Sequence, residues 1–245
     1  MGAIDISGHL LRVGFLIEPP FGFRAADGAA AGCDIETAAR VARDLGLAGI
    51  APIEATFEEL LPGLAESRWD MTVALFVTPE RMRIADFCRP IWALGDGLLV
   101  AQGNPRRIVG YGSLAADADA RLAAIHGQVQ HHTALNHGVP VERIVLFDSY
   151  EAAAAAVAEG RVDAYASVAM AHRGHLALHP SLPCMVVDVP PAERPPLRGA
   201  FAVAKGRDGL RAGIDAALLR FLGTPEHAAL MTRFGFSPPE IGPFA

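Results

Sequence analysis

The sequence is short of the features that would assign it to a class at a glance. It has three cysteines, Cys33, Cys88 and Cys184, with no C-x-x-C pair and no zinc-like spacing. They read as small buried hydrophobes, and one disulfide with a leftover thiol is the alternative in an oxidising compartment. No apolar run approaches the roughly 20 residues that cross a bilayer, and the alanine-rich piece 152–158 sits inside an ordinary amphipathic pattern. No membrane span is therefore expected. No run of Lys or Arg stands out either, and a net charge of -6 leaves no electrostatic footprint for nucleic acid. The opening "MGAIDISGHLLRVGFLIEPP" lacks a basic stretch followed by an apolar core and a cleavage site. Two locations stay open on that ground: a cytoplasmic chain, or an extracytoplasmic one whose leader has been removed.

What is present is a regular alternation. With 245 residues, 51% of them hydrophobic and 20% charged, the chain can form one large domain or two lobes, each with its own apolar core. A strand pattern over 11–17 stops at Pro19 and Pro20. A helix pattern over 34–47 places Asp34 at the N-cap position and ends at Gly46. A strand over 50–53 leads to a helix from Thr56, whose partner Glu59 three residues on makes a capping-box pattern, and then to a buried strand over 71–77. Strand, helix, strand, helix, strand indicates an α/β architecture with an open, mostly parallel sheet flanked by helices. After Gly103-Asn104-Pro105, a first crossing point, the pattern restarts: helix 114–121, strand 122–126, helix 130–137, strand 143–147. Asp148 or Ser149 caps a helix over 150–159, followed by the strand "VDAYASV" and a strand over 185–189. The proline-rich "PPAERPPLRG" is a second crossing. The tail is a strand and two helices, the first with an apolar stripe of Leu210, Ile214, Leu218 and Phe221. Two units joined by two crossings leave a cleft, and open α/β sheets bind ligands beyond the carboxyl ends of their strands.

One charge demands explanation. In "ALFVTPERMRIADF" an apolar strand ends in Phe76 and the chain turns through Thr78-Pro79-Glu80 to present Arg81. Together with "LRVGFLIEPPFGF", "GCDIETAARVARDLGL", "FEELLPGLAESRWDMTVALFVTPERMRIADFCRPIW", "FDSYEAAAAAVAEGRVDAYAS" and "GAFAVAKG", this stretch resembles the family 3 extracellular solute-binding proteins of ABC importers, in order from Leu11 to about Phe236. The resemblance implies a two-lobed type II periplasmic-binding-protein fold with two hinge crossings. Lobe 1 would be discontinuous, residues 1–102 and 196–245, and lobe 2 would be 103–195. It also implies a periplasmic or extracytoplasmic monomer that binds a small molecule without catalysis or cofactor and docks on ABC permease subunits.

At the family's carboxylate-binding arginine stands Arg81, and guanidinium is a rigid, permanently charged fork suited to that task. A salt bridge to Asp86 or Glu80 is the structural alternative. Departures from the amino-acid receptors narrow the ligand. Phe76 replaces their small hydroxyl residue, and Val168, beside Ser167, stands where an acid usually pairs with the ligand's ammonium. Glu18 is expected to supply the missing acid from lobe 1. Phe21, Phe57 and Phe76 would form a cage around a cation, each ring contributing roughly 0.5 to 2 kcal/mol when desolvated. This set with Arg81 is similar to that of the ectoine and hydroxyectoine receptors within the family. A quaternary ammonium could not donate a hydrogen bond to Glu18, so the acid favours an N–H-bearing cation. Phe57 and Phe76 as core residues, and Glu18 as a solvated loop acid, are the competing readings.

Lobe 2 is less definite. The family's second carboxylate contact lies at a helix start, which aligns here with Gly127, Gln128 and Val129; Ser167 and Gln130 are further candidates. The histidines His131, His132, His137, His172 and His175 are expected at the surface or rim and not on a metal. Competing functions remain: an amino-acid-binding protein, a cyclohexadienyl-dehydratase-like enzyme with Glu18 as acid, or a sensor domain on the same fold.

Overall fold

The strand Leu10–Phe15 buries Leu11, Val13 and Phe15 and pairs in parallel with Gly49–Glu54 on one side and Met71–Thr72 on the other. This period-two burial seeds the first of two units in the computed structural model, which describes residues 8–242. Among the described residues the first unit contains 8–17, Phe21–Ala93 and 198–242; the second contains Glu18–Pro20 and Leu94–Leu197.

In the first unit the helix Cys33–Asp44 follows Gly32, whose φ of 129° lies in glycine territory. A Cβ at that point would sit 2.2 Å from the Phe21 carbonyl oxygen. Gly32, not Asp34, is therefore the N-cap residue. Asp34 lies in the first turn, 1% exposed, and accepts the Ala74 N–H at 2.9 Å and the Trp92 indole N–H at 3.4 Å. That claim on Ala74 marks the place where the expected 71–77 strand divides. Met71–Thr72 stays beside Leu10–Phe15, while Leu75–Phe76 turns antiparallel to Leu197–Ala200 in another sheet. The helix expected from Thr56 begins instead at Leu60, with Glu59 as its N-cap and no side-chain cap; the Thr56 N–H reaches Glu59 Oε2 at 2.8 Å in the turn before it. In the helix Asp208–Phe221 the stripe buries Ile214, Leu218 and Phe221, whereas Leu210 is half-buried.

The second unit is built on five strands in the order Ile144–Phe147, Leu122–Ile125, Ala164–Val168, Asp96–Ala101, Cys184–Asp188. The first three run parallel; Asp96–Ala101 is antiparallel to both neighbours. That double pairing carries residues 94–102 into the second unit, so the chain crosses at 93/94 and again at 197/198, where the sequence placed the first crossing at 102/103. Gly103 and Asn104, both at positive φ, are a turn within this unit. The helix expected from 114 begins earlier, at Tyr111, because the Tyr111 N–H finds Glu193 Oε2 at 2.7 Å. Ser149 caps the helix Tyr150–Ala158, its hydroxyl accepting the Ala152 N–H.

The histidines His172 and His175 depart from the rim placement. They are 0% and 5% exposed, on the inner face of the helix Ala169–Leu178. His172 Nδ1 bonds the Tyr150 hydroxyl and its Nε2 lies 3.2 Å from the Gly97 carbonyl oxygen, so two polar partners repay its burial. The three cysteines are buried free thiols, and burial pushes Cys88 up to about 12. Among the described residues no helix is long and apolar enough to cross a membrane.

Candidate functional site

In the first unit the Thr-Pro-Glu-Arg element is a single capped turn. Thr78 is the N-cap and its hydroxyl accepts the Arg81 N–H at 3.3 Å; Pro79 occupies the first helical position, where no N–H is needed. The turn holds Arg81 at 8% exposure. Its Nη1 donates to the Phe76 carbonyl oxygen at 3.0 Å, and the guanidinium carbon stands 5.0 Å above the Phe57 ring. Asp86, one of the acids that sequence offers Arg81, takes Lys205 at 2.7 Å and the Gly206 N–H at 3.2 Å. The guanidinium is thus oriented by an aromatic face and a backbone carbonyl, and its charge also acts on Glu80, whose carboxyl is lowered first by hydrogen bonds at its own backbone and Thr78 and then by Arg83 and Arg81.

The three expected rings do not meet as one group. Phe21 and Phe76, 6% and 5% exposed, both pack on Trp92, at 5.3 Å and 5.5 Å between centroids. Phe57, half-buried, meets Arg81 instead. Trp92 joins the two separated phenylalanines, and the sequence reading missed it. Its place depends on Gly199, opposite Phe76 in the strand pair, since a Cβ there would come within 2.1 Å of the indole. A tryptophan two residues after Pro90, with a glycine in the returning strand, was the available signal. Phe21 is fixed at its backbone, whose carbonyl accepts the Asp34 N–H at 3.1 Å, and at its ring by the edge of Phe236 at 6.1 Å.

The second unit contains Glu18. The sequence reading placed it in lobe 1, but Glu18–Pro20 packs with the second unit. Glu18 Oε1 accepts the Ser167 hydroxyl at 3.1 Å and lies 3.5 Å from Gln128 Nε2. Ser167 sits fully buried near the end of its strand, and Gln128 is the N-cap of the helix Val129–Asn136. The carboxylate fixes the Gln128 amide with its nitrogen toward Glu18. The amide oxygen is then buried with no hydrogen-bond partner among the described residues. Val129, half-buried, opens the helix. Gln130, a further candidate, is committed elsewhere, donating to the buried Asp96 at 2.8 Å. Val168 ends its strand and brings no acid. Burial raises the Tyr165 and Tyr150 phenols well above their usual range, and the Glu18 charge adds to it, so both stay neutral. Among the described residues no three His, Cys, Asp or Glu side chains gather as a metal site.

Comparison with known proteins places this geometry in context. The profile of the family described as Bacterial extracellular solute-binding proteins, family 3, matches residues 11–237. A protein of Sinorhizobium fredii (strain NBRC 101917 / NGR234) named probable amino-acid ABC transporter periplasmic-binding protein y4tE is 32% identical over 234 residues, covering 91% of this chain and 76% of that one. The crystal structure of EhuB in complex with hydroxyectoine superposes with a TM-score of 0.84 at 26% identity, covering 93% of this chain and 89% of EhuB. An ancestral arginine-binding protein bound to arginine gives 0.80 at 25% identity, with 92% and 97% covered.

Proposed function

The chain belongs to the bacterial extracellular solute-binding proteins, family 3, and from that membership we propose that it captures an ectoine- or hydroxyectoine-like zwitterion outside the cytoplasm and delivers it unchanged to ABC permease subunits. The observation that carries this reading is the pair of oppositely charged, ordered anchors: Arg81 set on the Phe57 face, and Glu18 set by Ser167 and Gln128. Arg81 takes the ligand's carboxylate. Glu18 and the unsatisfied Gln128 oxygen accept from an N–H-bearing cation, and Phe21 and Phe76, backed by Trp92, supply aromatic surface. Val129 and Ser167 complete the contacts of the second unit. The likeness to EhuB, described in complex with hydroxyectoine, supports the same ligand class.

A second reading, an amino-acid ligand, is favoured by the 32% identical relative named as a probable amino-acid binding protein. It lacks an acid at Val168 to meet an α-ammonium. Equilibrium dialysis with ectoine tests the carboxylate anchor. Arg81→Ala is expected to cut affinity by about 100-fold or more, because it leaves a desolvated carboxylate without its partner. Ectoine binding that survives this change within a few-fold would assign Arg81 to structure alone.

A further inference from the structure

The loop that carries Glu18 rests on a glycine in the middle of a helix. Gly174 lies inside Ala169–Leu178, where alanine would be the better helix former. A Cβ at 174 would stand 2.6 Å from both Pro20 Cδ and Pro20 N, and 2.7 Å from the Pro19 carbonyl carbon. These are backbone and ring atoms with no rotamer to yield, so any side chain at 174 must lift the two prolines off the helix. Both prolines are buried in this seat, and Glu18 immediately precedes them. On the other side of the same residue, Ser167 and Gln128 hold the carboxylate. The loop is therefore fixed at two places, by hydrogen bonds at Glu18 and by close packing at Pro20.

We propose that Gly174 is a positioning residue for ligand selection: its missing side chain lets Pro19 and Pro20 settle on the helix, which keeps the Glu18 carboxylate aligned with Ser167 and Gln128 to receive a cation. The inference rests on the reading that Glu18 takes the ligand's positive end. Nothing at 174 touches ligand; the residue acts through the loop. A change here should thus be felt at the cationic group and only while Glu18 carries its charge.

A double-mutant cycle tests this. Ectoine binding is titrated for wild type, Gly174→Ala, Glu18→Gln and the double variant. Gly174→Ala is expected to weaken binding about tenfold or more alone, and by less than about twofold once Glu18 is glutamine. Equal losses in both backgrounds, or no loss, would overturn the proposal. The seating is also read without ligand: amide hydrogen exchange at Glu18, Phe21 and Gly22 should quicken in Gly174→Ala while helix Ala169–Leu178 keeps its protection. Unchanged exchange at those amides overturns the seat itself. If wild type binds arginine and not ectoine, the ligand reading fails while the same cycle, run with arginine, still decides the role of Gly174.

Discussion

Replacing His172 with glutamine should flatten the dependence of stability on pH, and the size of the effect follows from the burial of the imidazole. His172 has no exposed surface, its Nδ1 faces the Tyr150 hydroxyl and its Nε2 the Gly97 carbonyl oxygen. The carbonyl can only accept, so Nε2 carries the proton and Nδ1 accepts from tyrosine. A second proton would need to displace that bond in a site with no exposed surface, and burial lowers the folded pKa from 6.5 to about 3. The unfolded chain protonates near 6.5, so the stability from keeping His172 neutral is complete above that pH and is lost as pH falls toward 3. At pH 5 the unfolded state gains about 2 kcal/mol from this one group, the 1.5 units below 6.5 at 1.36 kcal/mol each. His175, lowered to about 4 by burial, acts in the same direction. Asp70 and Asp86, lowered on balance by Arg12 against burial and by Lys205, lose stability only below the normal carboxylate range, and Asp96, raised by burial, acts in the opposite sense as pH falls; the comparison with His172→Gln cancels all three. Urea unfolding followed by circular dichroism at pH 8 and pH 5 gives the comparison. The stability lost by wild type over this interval should exceed that lost by His172→Gln by about 2 kcal/mol. Equal losses, within about 0.5 kcal/mol, would refute the argument that the site holds a neutral imidazole against protonation.

Two further outcomes concern the rings. Phe76→Ser should weaken ectoine binding by about tenfold, measured by calorimetry, as the cation loses an aromatic neighbour; an unchanged constant would make Phe76 a core residue. Trp92→Leu should cost about 3 kcal/mol of stability by urea unfolding, from two ring pairs and the lost buried area. It should also weaken binding, because Phe21 and Phe76 share that indole; intact binding would separate Trp92 from the site.

The elements of this fold were largely legible because their signals are local. The strand pattern that begins at Leu11 is written within a few residues and appears as the strand Leu10–Phe15. So is Thr78-Pro79-Glu80-Arg81, where a hydroxyl, an imino acid and an arginine suffice to make a capped turn. What stayed hidden depends on partners far away in sequence. Asp34 is an N-cap by pattern, yet Ala74 and Trp92, 40 and 58 positions on, claim its carboxylate. The strand Asp96–Ala101 reads as the end of the first lobe until its pairing with Ala164–Val168 and Cys184–Asp188 is known. Glu18 belongs with Ser167, 149 positions away, and no periodicity near "EPPF" reports that. His172 looked like a rim residue because its buried imidazole is made acceptable by Tyr150 and Gly97, which the helix sequence does not contain.

Isothermal titration of the wild-type protein with ectoine, beside glycine betaine and glutamine, tests the central claim most directly. Tight ectoine binding is expected, with weaker betaine binding because a quaternary ammonium has no N–H for Glu18 or Gln128, and little or no glutamine binding. Glutamine bound tightly with ectoine ignored would contradict it, and would show that the anchors at Arg81 and Glu18 serve an amino acid.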